Sequence, residues 1–138
     1  MTPRIFHQFP TAQEYNELRH LAEWPTYEEE LVERAYSNTL FSVVARDESG
    51  LIIGMGRILG DNAIYLHVQD VIVHPAFQRQ GIGKLIMDEL LAYIEKVGVK
   101  NTNVGLMCSK GREKFYESFG FIERPNEKFG AGMIKILQ

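Results

Sequence analysis

The sequence has 138 residues, 45% of them hydrophobic, and a formal net charge of −3 at pH 7. This length and apolar content predict a single domain, residues 1–138, with a sizeable core. The slightly acidic balance argues against a protein that binds nucleic acid or anionic membranes mainly through bulk charge. No apolar run reaches the roughly 18 residues of a membrane span, and the first residues lack a secretory signal, so we expect a soluble, cytoplasmic protein.

The first forty residues predict a short strand followed by two helices. Residues 4–9 have the composition of a strand, and Thr11 is placed to cap the helix that follows. The helical spacing breaks at Trp24, after which Thr26 and Glu29 form a capping-box pattern for a second helix. We therefore expect two helices joined by a short turn that carries aromatic side chains.

The middle of the chain changes to strand periodicity. The segments LFSVVAR and LIIGMGRIL flank DESG, a turn sequence with Asp first and Gly last, and so predict a hairpin. The segment YLHVQDVIV, residues 65–73, predicts a third strand of the same sheet. Apolar residues at intervals of three and four between positions 82 and 97 then predict a helix that lies on the sheet and ends at Gly98.

The last third of the chain predicts further short elements. The segment VGLMC, residues 104–108, is a compact apolar strand; residues 110–119 form a short helix; GFIER and MIKIL read as extended structure. The whole order predicts an α/β (α+β) fold with a mixed, mostly antiparallel central sheet of six to seven strands and about four flanking helices. An open edge strand near the C-terminus would allow a homodimer.

The segment HPAFQRQGIGK, residues 74–84, joins the third strand of that sheet to the long helix. A glycine-rich turn that enters a helix aims unpaired backbone N–H groups and the positive end of the helix dipole at one small volume, which suits a phosphate. Gly81 and Gly83 let a ligand approach the backbone, while Arg79 and Lys84 add positive charge. The alternative is a connection whose glycines serve local geometry only.

Two common phosphate-binding motifs are excluded by single residues. The Walker motif is absent because Gln78 stands where its first glycine belongs and Leu85 where its Ser or Thr belongs. The dinucleotide motif GxGxxG would need a third glycine at the position of Ile86. The turn therefore belongs to some other class of phosphate site or to none.

The pattern Q/R-x-x-G-x-G/A, formed here by Gln78, Gly81 and Gly83, resembles the acetyl-coenzyme A turn of the GNAT superfamily of N-acetyltransferases. The segment KFYESFGF, residues 114–121, resembles the FYExxGF segment of the same superfamily and follows at the expected distance. The resemblance covers roughly residues 40–123. Within the superfamily, both segments look most like aralkylamine N-acetyltransferases and related small bacterial enzymes.

This resemblance implies an enzyme that transfers the acetyl group of acetyl-CoA to a primary amine, by direct attack in a ternary complex and without a metal. The backbone amides of residues 79–84 would bind the pyrophosphate, and the main chain near residues 71–73 would bind the pantetheine arm beside a bulge, where an amide steadies the oxyanion. Where many members carry Asn, this chain has Ser109. The implied coenzyme-binding residues are Val71, Ile72, Val73, Gln78, Arg79, Gln80, Gly81, Ile82, Gly83, Lys84, Ser109 and Tyr116.

Three residues are candidates for proton transfer. An alkylammonium has a pKa of about 10 and must lose a proton before it attacks. His67 is the first candidate for the base, because the family often places one at this point of the strand and an imidazole suits base work at neutral pH. Asp70 is the rival, which strand alternation alone points to the opposite face, unless a bulge intervenes. Tyr116 matches the family tyrosine that protonates the departing thiolate.

The acceptor is less defined by the sequence. Trp24 and Tyr27, in the turn between the two N-terminal helices, are candidates to line a slot for a small amine. A protein lysine or N-terminus is the alternative acceptor, and a catalytically silent CoA-binding sensor is the alternative of another class. The single cysteine, Cys108, is interpreted as a small buried filler and not as a nucleophile. No nucleic-acid or membrane partner is expected.

Overall fold

The computed structural model describes residues 2–138. Over this range its five strands form one sheet in the order β1-β2-β3-β4-β5, with β1 to β4 antiparallel, and four helices accompany it, so the fold is mixed α/β. None of the helices in residues 2–138 is both long and apolar enough to span a bilayer. The elements are β1 (Arg4–Phe6), α1 (Ala12–Leu21), α2 (Glu29–Ser37), β2 (Phe41–Arg46), β3 (Ile52–Gly60), β4 (Tyr65–Val73), a 3-10 turn (Pro75–Phe77), α3 (Ile82–Val97), β5 (Asn103–Leu106) and α4 (Glu113–Glu117).

The chain divides into two compact units, of which the first ends at Gly105 and the second comprises Leu106–Gln138. The first unit holds β1 to β4, the helices α1 to α3 and most of β5. The second holds α4 and the C-terminal segment. The predicted hairpin, third strand and long helix are all confirmed in the first unit, and the predicted short helix in the second.

The prediction of six to seven strands is wrong, because the sheet has five. Residues 121–138 contain no helix or strand, so the segments GFIER and MIKIL are not part of the sheet. Met133 and Leu137 are 87% and 85% exposed. A β-type composition favours a strand only where a neighbouring strand supplies hydrogen bonds and a covering surface, and these residues have neither. At the other end of the chain β1 stops at Phe6, short of the predicted residues 4–9.

The capping predictions have opposite outcomes in α1 and α2. In α1 the Glu14 amide donates to Thr11 Oγ1 (3.0 Å) and the Thr11 amide donates to Glu14 Oε1 (2.9 Å), which confirms the cap. The predicted box for α2 is wrong, because that helix has Glu28 as its N-cap without a side-chain hydrogen bond. The reason is tertiary: Asn16 bonds both the N–H and the C=O of Tyr27 (3.0 and 2.7 Å) and holds the chain extended there.

The sheet is covered differently on its two faces. On one face α3 lies against the glycines of β3: a Cβ on Gly54 would lie 2.7 Å from Ile86 Cδ1, and one on Gly56 would lie 2.9 Å from Ile86 Cγ2. Ile86 and Leu90 of α3 are fully buried as a result. Residues of α1 and α2 form the other core with apolar side chains of β2, β3 and β4: Ala12, Tyr15, Leu18, Val32, Val44, Ile52, Met55 and Ile72.

A bulge interrupts the pairing of β3 with β4, as predicted near residues 69–71. Met55 pairs with Ile72 and Arg57 with Gln69, so the single residue between Met55 and Arg57 faces two residues of β4. Asp70, one of these two, has a φ of +58°. The extra residue shifts the side-chain alternation by one position, and this shift determines which polar groups of β4 meet.

Candidate active site

The predicted phosphate turn has open backbone donors at the start of α3. Gly81 is the N-cap with a φ of +81°, and Arg79 has a φ of +65°. No side chain of residues 2–138 caps the helix, and a Cβ on Gly81 would meet no atom within 4 Å. The first amides of a helix lack partners one turn earlier. The turn therefore offers uncapped N–H groups, the positive helix end and the exposed Arg79 and Lys84 to an anion.

The same turn is fixed to the end of β4. His74 donates its amide to the Ile53 carbonyl (2.8 Å), and its ring Nδ1 accepts the amide of Ala76 (3.1 Å). The side chain of Gln78 returns to the strand and donates to the carbonyl of Val73 (3.1 Å). The motif glutamine thus braces the turn, while Ile82, which is 1% exposed, anchors the first turn of α3 in the core.

Asp70 is the centre of a buried ionic cluster. Its Oδ2 accepts from Tyr15 Oη (2.6 Å) and Arg57 Nε (2.8 Å), and its Oδ1 accepts from Arg19 Nη1 (2.8 Å) and Gln69 Nε2 (3.2 Å). Burial alone would raise the pKa of Asp70, but the Tyr15 hydrogen bond and the Arg57 charge outweigh it and lower that pKa. Burial, and after it the Asp70 charge, raise the pKa of Tyr15 to about 12. The carboxylate is therefore charged and fully occupied by donors.

The sequence interpretation named Asp70 but missed its four partners as site residues: Tyr15, Arg19, Arg57 and Gln69. Arg19 lies directly after the apolar position Leu18 of α1 and is only 8% exposed. Arg57 interrupts the apolar segment IIGMGRILG of β3. A charged residue inside an otherwise apolar strand is the signal that could have indicated a buried partner.

His67 lies on the same face of β4 as Asp70, whereas strand alternation alone would place the two on opposite faces. The bulge causes this change. Consecutive residues of a regular strand point to opposite faces, but the side chains of Gln69 and Asp70 form a hydrogen bond and therefore share one face. The ring Nε2 of His67 lies 3.1 Å from Gln69 Oε1. A Cβ on Gly105 of β5 would lie 3.8 Å from His67 Nδ1. His67 is half-buried. Its ring contacts Gln69 through one nitrogen and faces β5 with the other.

Trp24 and Tyr27 surround the guanidinium of Arg19. The Arg19 Cζ atom lies 5.3 Å from the Trp24 ring centre and 5.1 Å from that of Tyr27. Arg19 also donates through Nε to the carbonyl of Pro25 (2.7 Å). These contacts tie the α1–α2 connection to the Asp70 cluster. Trp24 packs against the core, while Tyr27 is 44% exposed and keeps part of its ring accessible.

A narrow crevice lies beside the Asp70 cluster. It has no room for a molecule even of the size of water, so it is not a ligand pocket. The hydroxyl of Tyr36 is buried here without a hydrogen-bond partner among the described residues, and burial is the main cause that raises the pKa of Tyr36. The crevice is lined by Pro10, Tyr15, Tyr36, Ser42, Met55, Gly56, Arg57 and Asp70.

Two tyrosine substitutions at this crevice should have opposite effects on stability. Tyr15→Phe removes a hydrogen bond to a buried carboxylate and should lower the free energy of unfolding by about 1.5–3 kcal/mol. Tyr36→Phe removes a hydroxyl that has no partner and should leave that free energy unchanged or raise it. Urea unfolding of both variants measures the difference. A Tyr36→Phe variant as unstable as Tyr15→Phe would contradict the assignment of partners.

Tyr116 and Ser109 lie in the second unit. The Tyr116 ring contacts Phe115 and Phe121 at centroid distances of 5.0 and 6.1 Å. Burial, and after it the proximity of Cys108, raise the pKa of Tyr116, so its hydroxyl keeps its proton at neutral pH. Ser109 is exposed in the loop before α4.

Cys108 has the properties of a thiol and not of a thiolate. The predicted buried position is wrong, because the residue is exposed in the loop after β5, where its Sγ donates to the carbonyl of Ser109 (3.1 Å). Burial of the sulfur, and after it the charge of Glu113, raise the pKa of Cys108. A raised pKa makes a cysteine a poor nucleophile. Within residues 2–138, no group of three His, Cys, Asp or Glu side chains is arranged to hold a metal ion.

Comparison with known proteins identifies the family. The sequence-family model of the acetyltransferase (GNAT) domain matches residues 11–136. A probable acetyltransferase from meticillin-resistant Staphylococcus aureus is 31% identical, with a TM-score of 0.88 over 98% of this chain and all of that one. A GNAT-family acetyltransferase from Brucella melitensis, solved in complex with acetyl-CoA, is 25% identical, with a TM-score of 0.66 over 88% of this chain and 83% of that one.

Among curated sequences, an uncharacterized N-acetyltransferase of Porphyra purpurea, ycf52, is 27% identical over 92 residues, which are 66% of this chain and 52% of the relative. The chain thus spans about half the length of the curated relatives it matches. These relatives support the family and not the aralkylamine branch within it. On the family match over residues 11–136, this chain belongs to the GNAT family of acetyltransferases.

Proposed function

We propose that this protein is an acetyl-CoA-dependent N-acetyltransferase whose acceptor is a small primary amine, in particular an aralkylamine. One observation carries the proposal: the uncapped start of α3, preceded by a turn with positive φ at Arg79 and Gly81, offers a set of open N–H groups. This geometry fits a pyrophosphate. The family match covers parts of both compact units, which supports one acetyltransferase domain over residues 1–138.

The coenzyme would be held mainly by main-chain groups. The amides of residues 79–84 would bind the pyrophosphate, with Arg79 and Lys84 adding charge. The backbone at Val71, Ile72 and Val73, next to the bulge, would pair with the pantetheine arm as an additional strand does. When bound, acetyl-CoA supplies the activated acyl group.

The proton transfers are assigned to His67 and Tyr116. His67 accepts the proton that the amine must lose, so that the nitrogen lone pair can form the new C–N bond. The C–S bond breaks, and the hydroxyl of Tyr116 gives its proton to the departing sulfur. Asp70 is left with a structural role, because four donors already occupy its carboxylate. Cys108, whose pKa is raised, is not acylated.

The acceptor assignment is supported by the aromatic turn between α1 and α2. Tyr27 presents part of its ring to solvent, although the guanidinium group of Arg19 covers one face of that ring. An aromatic amine can stack on such a surface. Turnover on arylalkylamines, with little turnover on polyamines or peptides, is the expected result of thiol-release assays across the three acceptor classes.

Calorimetry with acetyl-CoA tests the proposal through a matched pair of glycines. Gly81 and Gly50 both have positive φ (+81° and +92°), and a Cβ on either would meet no atom within 4 Å. Gly81→Ala and Gly50→Ala should therefore strain the backbone alike. Only Gly81→Ala places a methyl group where the pyrophosphate would lie, and it should weaken acetyl-CoA binding about tenfold, equivalent to about 1.4 kcal/mol.

Two outcomes would overturn the proposal. The first is a folded wild-type protein without measurable affinity for acetyl-CoA. The second is tight binding of acetyl-CoA with no thiol release on any acceptor, which would identify a CoA-binding sensor. Equal loss of affinity in Gly81→Ala and Gly50→Ala would move the binding site away from the turn.

A further inference from the structure

We infer that Gln69 is a positioning residue that sets the tautomer of His67, with the proton on Nε2 and the lone pair on Nδ1. Only the role of His67 as the base rests on the proposed function. Its structural content is a chain of three side chains on one face of β4: Asp70, Gln69 and His67. The bulge between β3 and β4 brings these three side chains together.

Asp70 determines which groups donate and which accept in the hydrogen bonds between these three side chains. The Asp70 side chain is 1% exposed, and Arg19 and Arg57 both contact its carboxylate at 2.8 Å. A carboxylate held between two guanidinium groups is ionised and can only accept hydrogen bonds. The Gln69 group that lies 3.2 Å from Asp70 Oδ1 must therefore be the NH₂ group. The opposite orientation of the amide would bring two acceptor oxygens together.

The orientation of Gln69 then determines the proton of His67. Once the NH₂ group faces Asp70, the carbonyl Oε1 faces His67 Nε2 at 3.1 Å. A carbonyl oxygen accepts and does not donate, so Nε2 must carry hydrogen. A neutral imidazole has one N–H, and its other nitrogen, Nδ1, is left with an available lone pair.

The available nitrogen faces a glycine of the neighbouring strand. A Cβ placed on Gly105 would have His67 Nδ1 as its nearest neighbour, at 3.8 Å. The absence of a side chain at Gly105 leaves space beside Nδ1 at the junction of β4 and β5. The base that removes the amine proton is therefore Nδ1 of His67, and Gln69 acts through the opposite side of the ring.

Nitrogen-15 NMR tests the tautomer without any need for activity. In the wild-type protein at a pH of about 8, where a histidine is ordinarily neutral, long-range ¹H–¹⁵N correlations should show His67 with a protonated Nε2 and an unprotonated Nδ1. A spectrum with the proton on Nδ1 would overturn the inference. This result would leave the proposed function standing, because acetyl-CoA binding and thiol release are measured separately.

Steady-state kinetics test the positioning role. Gln69→Leu should lower kcat between about 10-fold and 100-fold, a part of the 10²–10⁴ that a positioned base contributes, while the KM for acetyl-CoA stays unchanged. The matched control is Gln13→Leu, since Gln13 is exposed on α1 and bonds only Glu17 among the described side chains. Equal kcat values for Gln69→Leu and Gln13→Leu would refute the positioning role.

Discussion

The Asp70→Asn variant is expected to lose about 3–5 kcal/mol of the free energy of unfolding, because it removes the only charge that balances two buried guanidinium groups in the cluster. The side chains of Arg19 and Arg57 are 9% and 13% exposed, and both contact the Asp70 carboxylate. Asn has nearly the same size as Asp and tolerates positive φ. The loss would therefore come from the charge and not from strain at the bulge.

The control for this prediction is Asp88→Asn. Asp88 pairs with Lys84 at 2.9 Å on the surface of α3, where the two side chains are 48% and 69% exposed. An exposed pair of this kind contributes about 0–1 kcal/mol. Urea unfolding of both variants should separate the buried from the exposed carboxylate, and a loss below about 1 kcal/mol for Asp70→Asn would contradict the structural role assigned to the cluster.

The free energy of unfolding of the wild-type protein should fall at low pH, because the Asp70 carboxylate becomes protonated there. The pKa of Asp70 in the folded protein lies below the ordinary value of 3.8. A group with a lowered pKa contributes its stabilisation fully above the unfolded-state pKa and loses it as the pH falls through the folded-state pKa. The difference in unfolding free energy between wild type and Asp70→Asn should thus be constant from neutral pH down to about pH 5 and shrink below about pH 4.

The Tyr116→Phe variant is expected to lower kcat by about 10²–10⁴, the range that a positioned general acid contributes. The change removes the hydroxyl that would protonate the departing thiolate and keeps the ring that contacts Phe115 and Phe121. Acetyl-CoA affinity in calorimetry should therefore stay within about twofold of wild type, which is about 0.4 kcal/mol. Steady-state thiol release measures kcat.

Tyr93→Phe is the matched control for Tyr116→Phe. The Tyr93 hydroxyl donates to Asn62 Oδ1 (2.7 Å) on the surface, and its ring stacks on Phe41. Losing this hydrogen bond should leave kcat unchanged. If Tyr116→Phe kept a kcat close to that of Tyr93→Phe, the proton for the thiolate would have to come from another group.

Local patterns predicted most of the fold. The hairpin, β4, α3 and the cap of α1 depend on residues within a few positions of each other, and all four are confirmed. The strands predicted from GFIER and MIKIL are absent, because a strand also needs a neighbour that no local pattern specifies. The predicted cap of α2 is wrong for a related reason, since Asn16 of the preceding helix binds Tyr27 and no pattern local to α2 specifies that contact.

The candidate site shows a similar division. The glycine turn was visible because its residues are consecutive, whereas the Asp70 cluster joins residues far apart in sequence: Tyr15 lies 55 positions away and Arg19 lies 51 positions away. A bulge at Asp70 was expected, but the meeting of His67, Gln69 and Asp70 on one face required the paired register of β3 and β4. Side-chain direction across a bulge depends on the partner strand as well as on the strand's own sequence.

The close packing of α3 on β3 has a consequence for how this chain can change over evolution. Side chains at Gly54 and Gly56 would reach 2.7 and 2.9 Å from Ile86, so even a methyl group at either position would displace the helix or its apolar residues. The uncapped amides at the start of α3 would shift with the helix. Where the helix itself moves and not only the Ile86 side chain, a mutation at either glycine would alter the turn without changing any residue of the turn.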